Sequence, residues 1–192
     1  MKILITGGAG YTGVPLCSAL IKANHQVTVV DNFSFGFTPI MHLVGNPNLE
    51  IIRADIRDAN RDYLNNKDVI FHLAGISGYP ACEANPNSSR LINVIATQEL
   101  VKELSPDQLL IFASTTSFYG ASGVKSDEES IITPVNLYGE TKKEGEDIIM
   151  SRENSISLRW ATVFGVSGRM RNDLMVNDFV EKAINESTIV LY

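Results

Sequence analysis

The sequence of 192 residues has few of the features that mark secreted, metal-binding or membrane proteins. Its two cysteines, Cys17 and Cys82, do not form a C-x-x-C pair, so neither a disulfide framework nor a zinc or redox site is indicated. The three histidines, His25, His42 and His72, share no metal-ligand spacing. No apolar stretch reaches the roughly 18 residues of a membrane span, and no signal-type segment is present. We therefore expect a cytoplasmic protein without a metal.

Positive charge is also scarce, since 16 basic residues stand against 22 acidic ones and the net charge is -6. This balance disfavours nucleic acid and anionic membranes as partners. Hydrophobic residues make up 44% of the chain and charged residues 20%, which is typical of a globular protein with a sizeable core. The length allows one domain, or one domain and the beginning of a second.

Short β-branched runs alternate with longer helical patterns along the chain. The short runs predict strands at Lys2–Thr6, Gln26–Val30, Leu49–Arg53, Asp68–His72, Gln108–Ala113 and Ser155–Trp160. The longer patterns predict helices at Val14–Ala23, Ser88–Leu104, Val135–Arg152 and Asp173–Asn185. The polar stretch Gly120–Pro134 is expected to be a loop. Strands that alternate with helices predict an α/β fold with a doubly wound parallel sheet.

Four glycines stand in the stretch TGGAGYTG, residues 6–13, between the first strand and the first helix. A glycine-rich turn in this place is typical of a dinucleotide-binding βαβ unit, because a phosphate can then approach the bare backbone and the amides of the helix N-terminus. Two registers fit the pattern, Gly8 with Gly10 and Gly13, or Gly7 with Gly10 and Gly13. Both direct the amides toward an anion.

Asp31 closes the second strand, at the position where a carboxylate can bind both hydroxyls of an adenosine ribose. The same carboxylate would repel a 2′-phosphate, and no Arg or Lys lies between Asp31 and Met41 to receive one. The sequence therefore favours NAD over NADP.

Two further patterns carry chemistry. In YGETK, Tyr138 and Lys142 are four residues apart on one helix face, so the lysine ammonium can stabilise the phenolate form and Tyr138 can act as a general acid/base. In FASTTSFYG, residues 112–120, four hydroxyl residues follow a strand, at the edge of the sheet where parallel α/β folds bind ligands.

Taken together, these motifs resemble the extended short-chain dehydrogenase/reductases, specifically the NAD-dependent nucleotide-sugar epimerase/dehydratase family. The resemblance covers nearly the whole chain, and its motifs follow the family's order. Besides the glycine stretch they are VVDN from Val29, ADIRD from Ala54, FHLAG from Phe71, the dipeptide Asn93-Val94, STTSFYG, YGETK and LRWATVFG from Leu158.

The resemblance implies a set of site residues. The cofactor would be NAD, held by Gly7, Gly10, Tyr11, Thr12, Gly13, Asp31, Asn32, Asp55, Ile56, Leu73, Ala74, Gly75, Asn93, Tyr138 and Lys142. The catalytic set would be Thr115, Tyr138 and Lys142, with Thr115, Thr116 and Thr162 at the substrate.

The resemblance further implies an epimerase of a UDP-hexose type nucleotide sugar, acting by transient transfer of a hydride to NAD and its return to the opposite face of the sugar. Dehydratases of the family carry an acidic pair where this chain has Thr116 and Ser117, so elimination of water is not expected. Ser77 replaces a lysine common among 4-epimerases, and Thr162 replaces an asparagine that binds the diphosphate. The alternatives are a reductase or dehydrogenase of the same family and a non-catalytic NAD-binding module.

The family also implies a division of the chain and an assembly. Residues 1–165 would form the NAD-binding Rossmann domain, and residues 166–192 the start of a truncated substrate-binding domain. Relatives pair through the helix predicted from Ser88 and the helix of Tyr138, so a homodimer is expected.

Overall fold

A single six-stranded parallel sheet forms the centre of the computed structural model, which describes residues 1–120, 123 and 125–189. The strands are β1 (Lys2–Thr6), β2 (Gln26–Asp31), β3 (Leu49–Arg53), β4 (Val69–His72), β5 (Leu109–Thr115) and β6 (Ser155–Trp160). Their order in the sheet is β3-β2-β1-β4-β5-β6. This is the doubly wound order, in which β1 to β3 extend the sheet to one side and β4 to β6 extend it to the other. The crevice at the carboxyl ends of β1 and β4, where the strand order reverses, is the usual ligand site.

Within the described residues, six α-helices connect or follow the strands. They are α1 (Gly13–Lys22), α2 (Tyr79–Ala84), α3 (Pro86–Arg90), α4 (Thr97–Glu103), α5 (Leu137–Met150) and α6 (Met175–Asn185). A π-helical turn, Leu91–Ala96, joins α3 to α4, and short 3-10 helices occur at Thr38–Leu43, Asp62–Leu64 and Thr116–Tyr119. The predicted helix from Ser88 to Leu104 thus consists of three pieces, and α2 was not predicted.

Two hydrophobic clusters cover the two faces of the sheet. One contains Ile3, Ile5 and Val29 with Cys17 of α1. The other contains Leu4, Ile70 and Leu110, whose side chains point to the opposite face, and includes Ile149 of α5. Neighbouring residues of one strand face opposite clusters, and both faces are apolar because helices cover both. The predicted α/β fold with a doubly wound parallel sheet is therefore confirmed.

The structure also describes most of the stretch that was predicted to be a loop. The described residues of the predicted loop Gly120–Pro134 contain neither helix nor strand, and Ala121, Ser122 and Val124 lie outside the described part. Within the described residues, no helix is long and apolar enough to cross a membrane. No cluster of possible metal ligands is found in that part of the chain either. Both cysteines are free thiols, and both are completely buried.

Candidate functional site

The glycine turn between β1 and α1 is packed too tightly for side chains. A Cβ at Gly7, where φ is +71°, would lie 2.7 Å from the amide nitrogen of Ala74. A Cβ at Gly13 would lie 2.5 Å from the carbonyl oxygen of Gly7, which also accepts a hydrogen bond from the amide of Gly10 at 3.1 Å. Gly8 instead faces the side chain of Val29. A Cβ at Gly13 would also lie 2.6 Å from Cα of Gly8, so the glycines of both registers belong to one turn.

Asp31, at the end of β2, is hydrogen-bonded to the glycine turn. Its carboxylate accepts hydrogen bonds from the amide of Ala9 at 3.0 Å and from the amide of Phe33 at 2.8 Å. The side chain is half-buried, so it holds the turn and still reaches the surface of the crevice. The acidic end of β2 and the amides of the turn therefore form one wall of the site.

Asp55 extends this wall beyond β3. It accepts a hydrogen bond from Asn32 at 3.1 Å and two from Arg57, each at 2.8 Å. The hydrogen bond from Arg57 holds the pKa of Asp55 well below its usual range. Arg57 lies beyond residues 31–41, the segment without basic residues that favours NAD over NADP, and the fold brings it to this wall. Its guanidinium is paired with Asp55. The adjacent Ile56 is buried.

The opposite wall follows β4. The amide of Leu73 donates to the carbonyl of Thr6 at 3.1 Å, and the amide of Ala74 approaches the Thr6 hydroxyl at 3.4 Å. A Cβ at Gly75 would lie 2.9 Å from Oδ1 of Asn93. The side chain of Asn93 is itself occupied, since it bonds to both the amide and the carbonyl of Ile76. In this structure Asn93 thus shapes the wall, and its predicted contact with a cofactor stays a prediction.

Thr115 lies at the end of β5 and begins the 3-10 helix Thr116–Tyr119. Its Oγ1 accepts a hydrogen bond from the amide of Ser117 at 3.0 Å, which caps this turn. The Thr115 hydroxyl proton finds no acceptor among the described residues, so it can be donated to a ligand. Thr116 donates to the carbonyl of Trp160 at 3.4 Å, and Thr162 is exposed just after β6.

Tyr138 and Lys142 lie on the first turns of α5. Asn136 caps this helix by accepting a hydrogen bond from the amide of Gly139 at 2.9 Å. The first turn packs closely on the turn after Thr115, since a Cβ at Gly139 would be 3.5 Å from Cα of Phe118. The fold therefore brings the predicted catalytic residues of β5 and α5 to adjacent turns. The phenol of Tyr138 is half-buried and has no hydrogen-bond partner in the described part of the chain.

Lys142 is a buried cation, only 8% exposed. Its Nζ lies 4.0 Å from the ring centroid of Phe112, and no hydrogen-bond acceptor for it is found among the described residues. Burial lowers the pKa of Lys142 to about 7, against the opposing influence of Cys82 and Glu146. An ammonium held without a partner below the crevice is suited to bind an oxygen of a ligand.

Sequence reasoning missed several residues that the fold adds to the site. The hydroxyl of Tyr11 donates to the carbonyl of Gly165 at 2.7 Å and accepts from Asn177 at 2.9 Å. Ser167 donates to the carbonyl of Tyr11 at 2.7 Å. The amide of Tyr11 can still face an anion, as predicted, while its side chain joins the turn to residues 165–177. The sequence offers no local signal for such contacts.

Arg171 is a second residue that was missed. It forms an ion pair with Asp173 at 2.6 Å, and this contact raises the pKa of Arg171. Smaller electrostatic contributions from the phenols of Tyr138 and Tyr11 act in the same direction, so the guanidinium lies within electrostatic range of both.

Curated proteins of similar sequence include proteins named for UDP-sugars. The chain is 31% identical over 211 residues to a protein of Bacillus subtilis described as an uncharacterized UDP-glucose epimerase. The alignment covers all of this chain and 65% of that protein. It is 31% identical to UDP-glucuronic acid decarboxylase 1 of Danio rerio, over all of this chain and 48% of that enzyme. This chain thus spans less than two thirds of the length of these relatives.

Solved structures give the same result. The fold matches a UDP-glucuronic acid 4-epimerase of Bacillus cereus, crystallised with UDP-glucuronic acid and NAD, with a TM-score of 0.82 and 29% identity over 97% of this chain and 64% of that chain. Residues 3–192 match one protein family over nearly the full sequence. The chain belongs to the NAD dependent epimerase/dehydratase family.

Proposed function

We propose that this chain is the NAD-binding and catalytic part of an NAD-dependent epimerase of a UDP-sugar, acting at carbon 4. The observation that carries the proposal is the shared edge of the sheet, where the glycine turn after β1, Thr115 after β5 and the Tyr138–Lys142 pair of α5 meet. The names of relatives support it, since they include UDP-sugar 4-epimerases, one of them crystallised with NAD.

The residues present fit the dinucleotide. Gly7 and Gly13 are required by the packing of the turn, since a Cβ at either would clash with backbone, and this tight turn ends at the N-terminus of α1, where a pyrophosphate would bind the free amides. Asp31 and Asn32 would bind the adenosine ribose, and Asp55 and Ile56 would contact the adenine. Lys142 supplies an unpartnered ammonium for the second ribose. When bound, NAD would take up a hydride from the sugar and return it.

The chain's own side chains would handle the proton. Tyr138 would remove the proton from the hydroxyl oxygen of the sugar and later return it, since its phenol is free of other partners in the described part. The ammonium of Lys142 would stabilise the phenolate through the field of a nearby positive charge. Thr115, whose hydroxyl proton is free, would donate a hydrogen bond to the same sugar oxygen.

We assign the remaining substrate contacts to residues that follow β5 and β6. Thr116 and Thr162 follow β5 and β6 and would contact the sugar nucleotide. Arg171, which lies within electrostatic range of Tyr138, would pair with an anionic group of the substrate. Residues 166–192 would then form the first part of a substrate-binding domain, and residues 1–165 the NAD-binding domain.

Substitution of Arg171 tests this assignment of the anion contact. Arg171→Met should raise the KM for the nucleotide sugar about tenfold or more while the Kd for NAD stays the same, because one charged hydrogen bond is lost. Arg57→Met, at the other wall, is the matched control. Equal effects of the two substitutions on KM would contradict the assignment.

The central experiment compares the chain with its Tyr138→Phe variant. With a UDP-hexose as substrate, the wild-type protein should form the 4-epimer without net change in NADH absorbance. The variant should lose at least about a thousandfold in kcat, because general acid/base catalysis is removed, while its Kd for NAD is unchanged. Full activity of the variant would contradict the role of Tyr138.

The same assay separates the alternatives. A net appearance of NADH would indicate a dehydrogenase. With UDP-glucuronic acid as substrate, release of CO2 would indicate a decarboxylase like the Danio rerio relative. NAD binding with no conversion of any UDP-sugar would indicate a non-catalytic module.

We further propose a cytoplasmic homodimer that pairs through the π-helical turn and α5. Leu91 and Ile95 of the turn are 47% and 46% exposed, which is unusual for large apolar side chains one turn apart. Light scattering should give twice the monomer mass, and a Leu91→Asp/Ile95→Asp double variant should give a monomer. Val166→Asp, at an exposed valine elsewhere, should remain dimeric. A monomeric wild-type protein would refute the dimer.

A further inference from the structure

His72 is completely buried at the end of β4, directly before the wall of the site, and the mechanism above does not use it. Its two ring nitrogens have separate partners. Nδ1 lies 2.7 Å from the hydroxyl oxygen of Thr6, where β1 enters the glycine turn. Nε2 lies 2.9 Å from the hydroxyl oxygen of Thr97 in α4. The imidazole therefore connects the end of β1 to α4.

The partners of the two threonines determine the protonation of the ring. Thr97 must donate its only hydroxyl proton to the carbonyl of Asn93, 2.9 Å away, because a carbonyl can only accept. Thr97 can then only accept from His72, so Nε2 carries the proton. Nδ1 is left as an acceptor, and Thr6 donates to it.

The other neutral tautomer satisfies fewer groups. With the proton on Nδ1, the hydroxyl of Thr97 would have to donate to Nε2 and would lose its bond to the carbonyl of Asn93. The hydroxyl proton of Thr6 would then have no acceptor among the described residues, since its remaining neighbour, the amide of Ala74, is also a donor. A buried unpaired donor costs about 1–3 kcal/mol, so the Nε2–H form is preferred.

The chain of hydrogen bonds continues to the catalytic helix. Asn93 donates from Nδ2 to the hydroxyl of Thr141 in α5 at 3.1 Å, and Thr141 donates to the carbonyl of Tyr138 at 3.1 Å. Thr97, Asn93 and Thr141 are each 2% exposed or less. The series from Ala74 to Tyr138 passes through the ring of His72 and through Asn93, whose backbone carbonyl accepts from Thr97 and whose side-chain amide donates to Thr141.

We propose that His72, fixed as the Nε2–H tautomer, is a positioning residue that aligns the glycine turn with the turn of α5 that carries Tyr138. The inference rests on the proposed function, because the two parts that it aligns are the NAD cradle and the acid/base. The Thr6 side of the ring fixes the cradle, and the Thr97 side fixes α5.

A neutral ring at this place also suits Lys142. The ring of Phe112 contacts both, with its centroid 5.8 Å from that of His72 and 4.0 Å from Nζ of Lys142. Burial, together with the charge on Lys142, lowers the pKa of His72 to about 3. The imidazole is thus uncharged at neutral pH and adds no positive charge beside Lys142.

Two substitutions divide the role of His72. In His72→Asn the side-chain amide ends near the position of Nδ1 and can keep the bond to Thr6, whereas in His72→Gln it ends near the position of Nε2 and can keep the bond to Thr97. Loss of one hydrogen bond should change the affected readout about tenfold. We expect His72→Asn to lower kcat with little change in the Kd for NAD. We expect His72→Gln to raise the Kd for NAD with little change in kcat at saturating NAD.

Hydrogen exchange followed by mass spectrometry tests the separate effects of the two hydrogen bonds of His72 without an assay of turnover. His72→Asn should accelerate exchange at residues 137–142 and not at 7–13, and His72→Gln should do the reverse. Thr97→Val, which removes the hydroxyl at nearly constant volume, should behave like His72→Asn. Thr97→Ser, which keeps the hydroxyl, should behave like the wild type. This second pair decides the matter if the His72 variants do not fold.

The tautomer is measured directly from the ¹⁵N chemical shifts of the His72 ring in the wild-type chain. We expect a protonated Nε2 and an unprotonated Nδ1 at neutral pH. The opposite tautomer, or a loss of stability in all variants without any division between the two segments, would overturn the proposal. Wild-type protein that binds NAD and converts no UDP-sugar would instead refute the proposed function, and the exchange and tautomer results would still decide the role of His72.

Discussion

A single methyl group at position 7 has no place in the glycine turn. Gly7→Ala would put a Cβ 2.7 Å from the backbone of Ala74 and force alanine into a φ of +71°. We expect a loss of NAD affinity of at least about tenfold, because the wall must shift. Isothermal titration calorimetry measures it. Gly36→Ala is the matched control, since Gly36 has a φ of +80° and nothing within 4 Å of its Cβ. Equal losses in both variants would attribute the effect to backbone strain alone.

Lys142 gives the stability of the NAD-free chain a characteristic dependence on pH. Burial lowers its pKa from 10.5 to about 7, so above pH 7 the unfolded chain binds a proton that the folded chain does not. The free energy of unfolding should therefore rise with pH between about 7 and 10, with a contribution from this residue of up to about 1.4 kcal/mol per pH unit. Urea denaturation at several pH values measures this slope. Lys142→Met should remove it, while Lys143→Met, at a half-buried neighbour, should not. An unchanged slope in Lys142→Met would contradict the lowered pKa.

At the scale of the element, the ion pair between Glu146 of α5 and Arg159 of β6 holds α5 against the sheet. Two nitrogens of Arg159 in β6 donate to Oε1 of Glu146 at 2.9 and 2.6 Å, and Ser157 donates to Oε2 at 2.7 Å. Burial alone would raise the pKa of Glu146, but the hydrogen bonds from Arg159 and Ser157 outweigh it and the pKa is lowered. Arg159 also donates to the hydroxyl of Tyr119 at 2.7 Å, so the pair joins α5 to the turn after Thr115.

Removal of the carboxylate should therefore loosen α5. We expect Glu146→Gln to lower the free energy of unfolding by about 3 kcal/mol, because it leaves Arg159 without its charged partner. Glu144 lies in the same helix and forms an exposed ion pair with Arg90 of α3. Glu144→Gln removes this pair and should lower the free energy of unfolding by less than about 1 kcal/mol. Denaturant titration of both variants measures the difference. Equal losses would show that burial of the pair has no importance.

The sequence predicted elements where one local pattern dominates. All six strands were predicted to within two residues at each end, because continuous apolar runs between two helical layers are distinctive. Helix α2, of six residues with a proline, is too short to show a period. The π-helical turn was missed as well, because the apolar pattern of Leu91–Ala96 agrees with an ordinary helix.

The site was predictable to the extent that it is local. Tyr138 and Lys142 lie within one helix, and the glycines within one turn, so spacing alone brings them together. The partners of Tyr11 are 154 and 166 positions away in the sequence, and His72 gave the pattern of an ordinary core residue. Arg171 likewise carries no motif of its own. Such residues are identified only by a fold that places distant segments in contact.

At the scale of the whole molecule, Tyr11 joins the beginning of the chain to residues 165–177. Tyr11→Phe removes the hydroxyl that bonds Gly165 and Asn177 and leaves the ring in place. We expect a loss of about 1–3 kcal/mol in the free energy of unfolding, since the buried amide of Asn177 loses a partner. Tyr79→Phe is the control, at a tyrosine that is 55% exposed. Denaturant titration with and without NAD measures the free energy of unfolding of both variants. If the two variants lose the same stability, this role of the hydroxyl is refuted.

The two buried thiols lie in different parts of this architecture. Cys17 belongs to the core between α1 and the sheet, whereas Cys82 lies in α2, which packs against α5. Neither sulfur is accessible to an alkylating reagent in the folded chain. The rate at which each thiol is labelled thus reports how often its own layer opens, and NAD should slow both reactions if the bound dinucleotide holds the two layers closed.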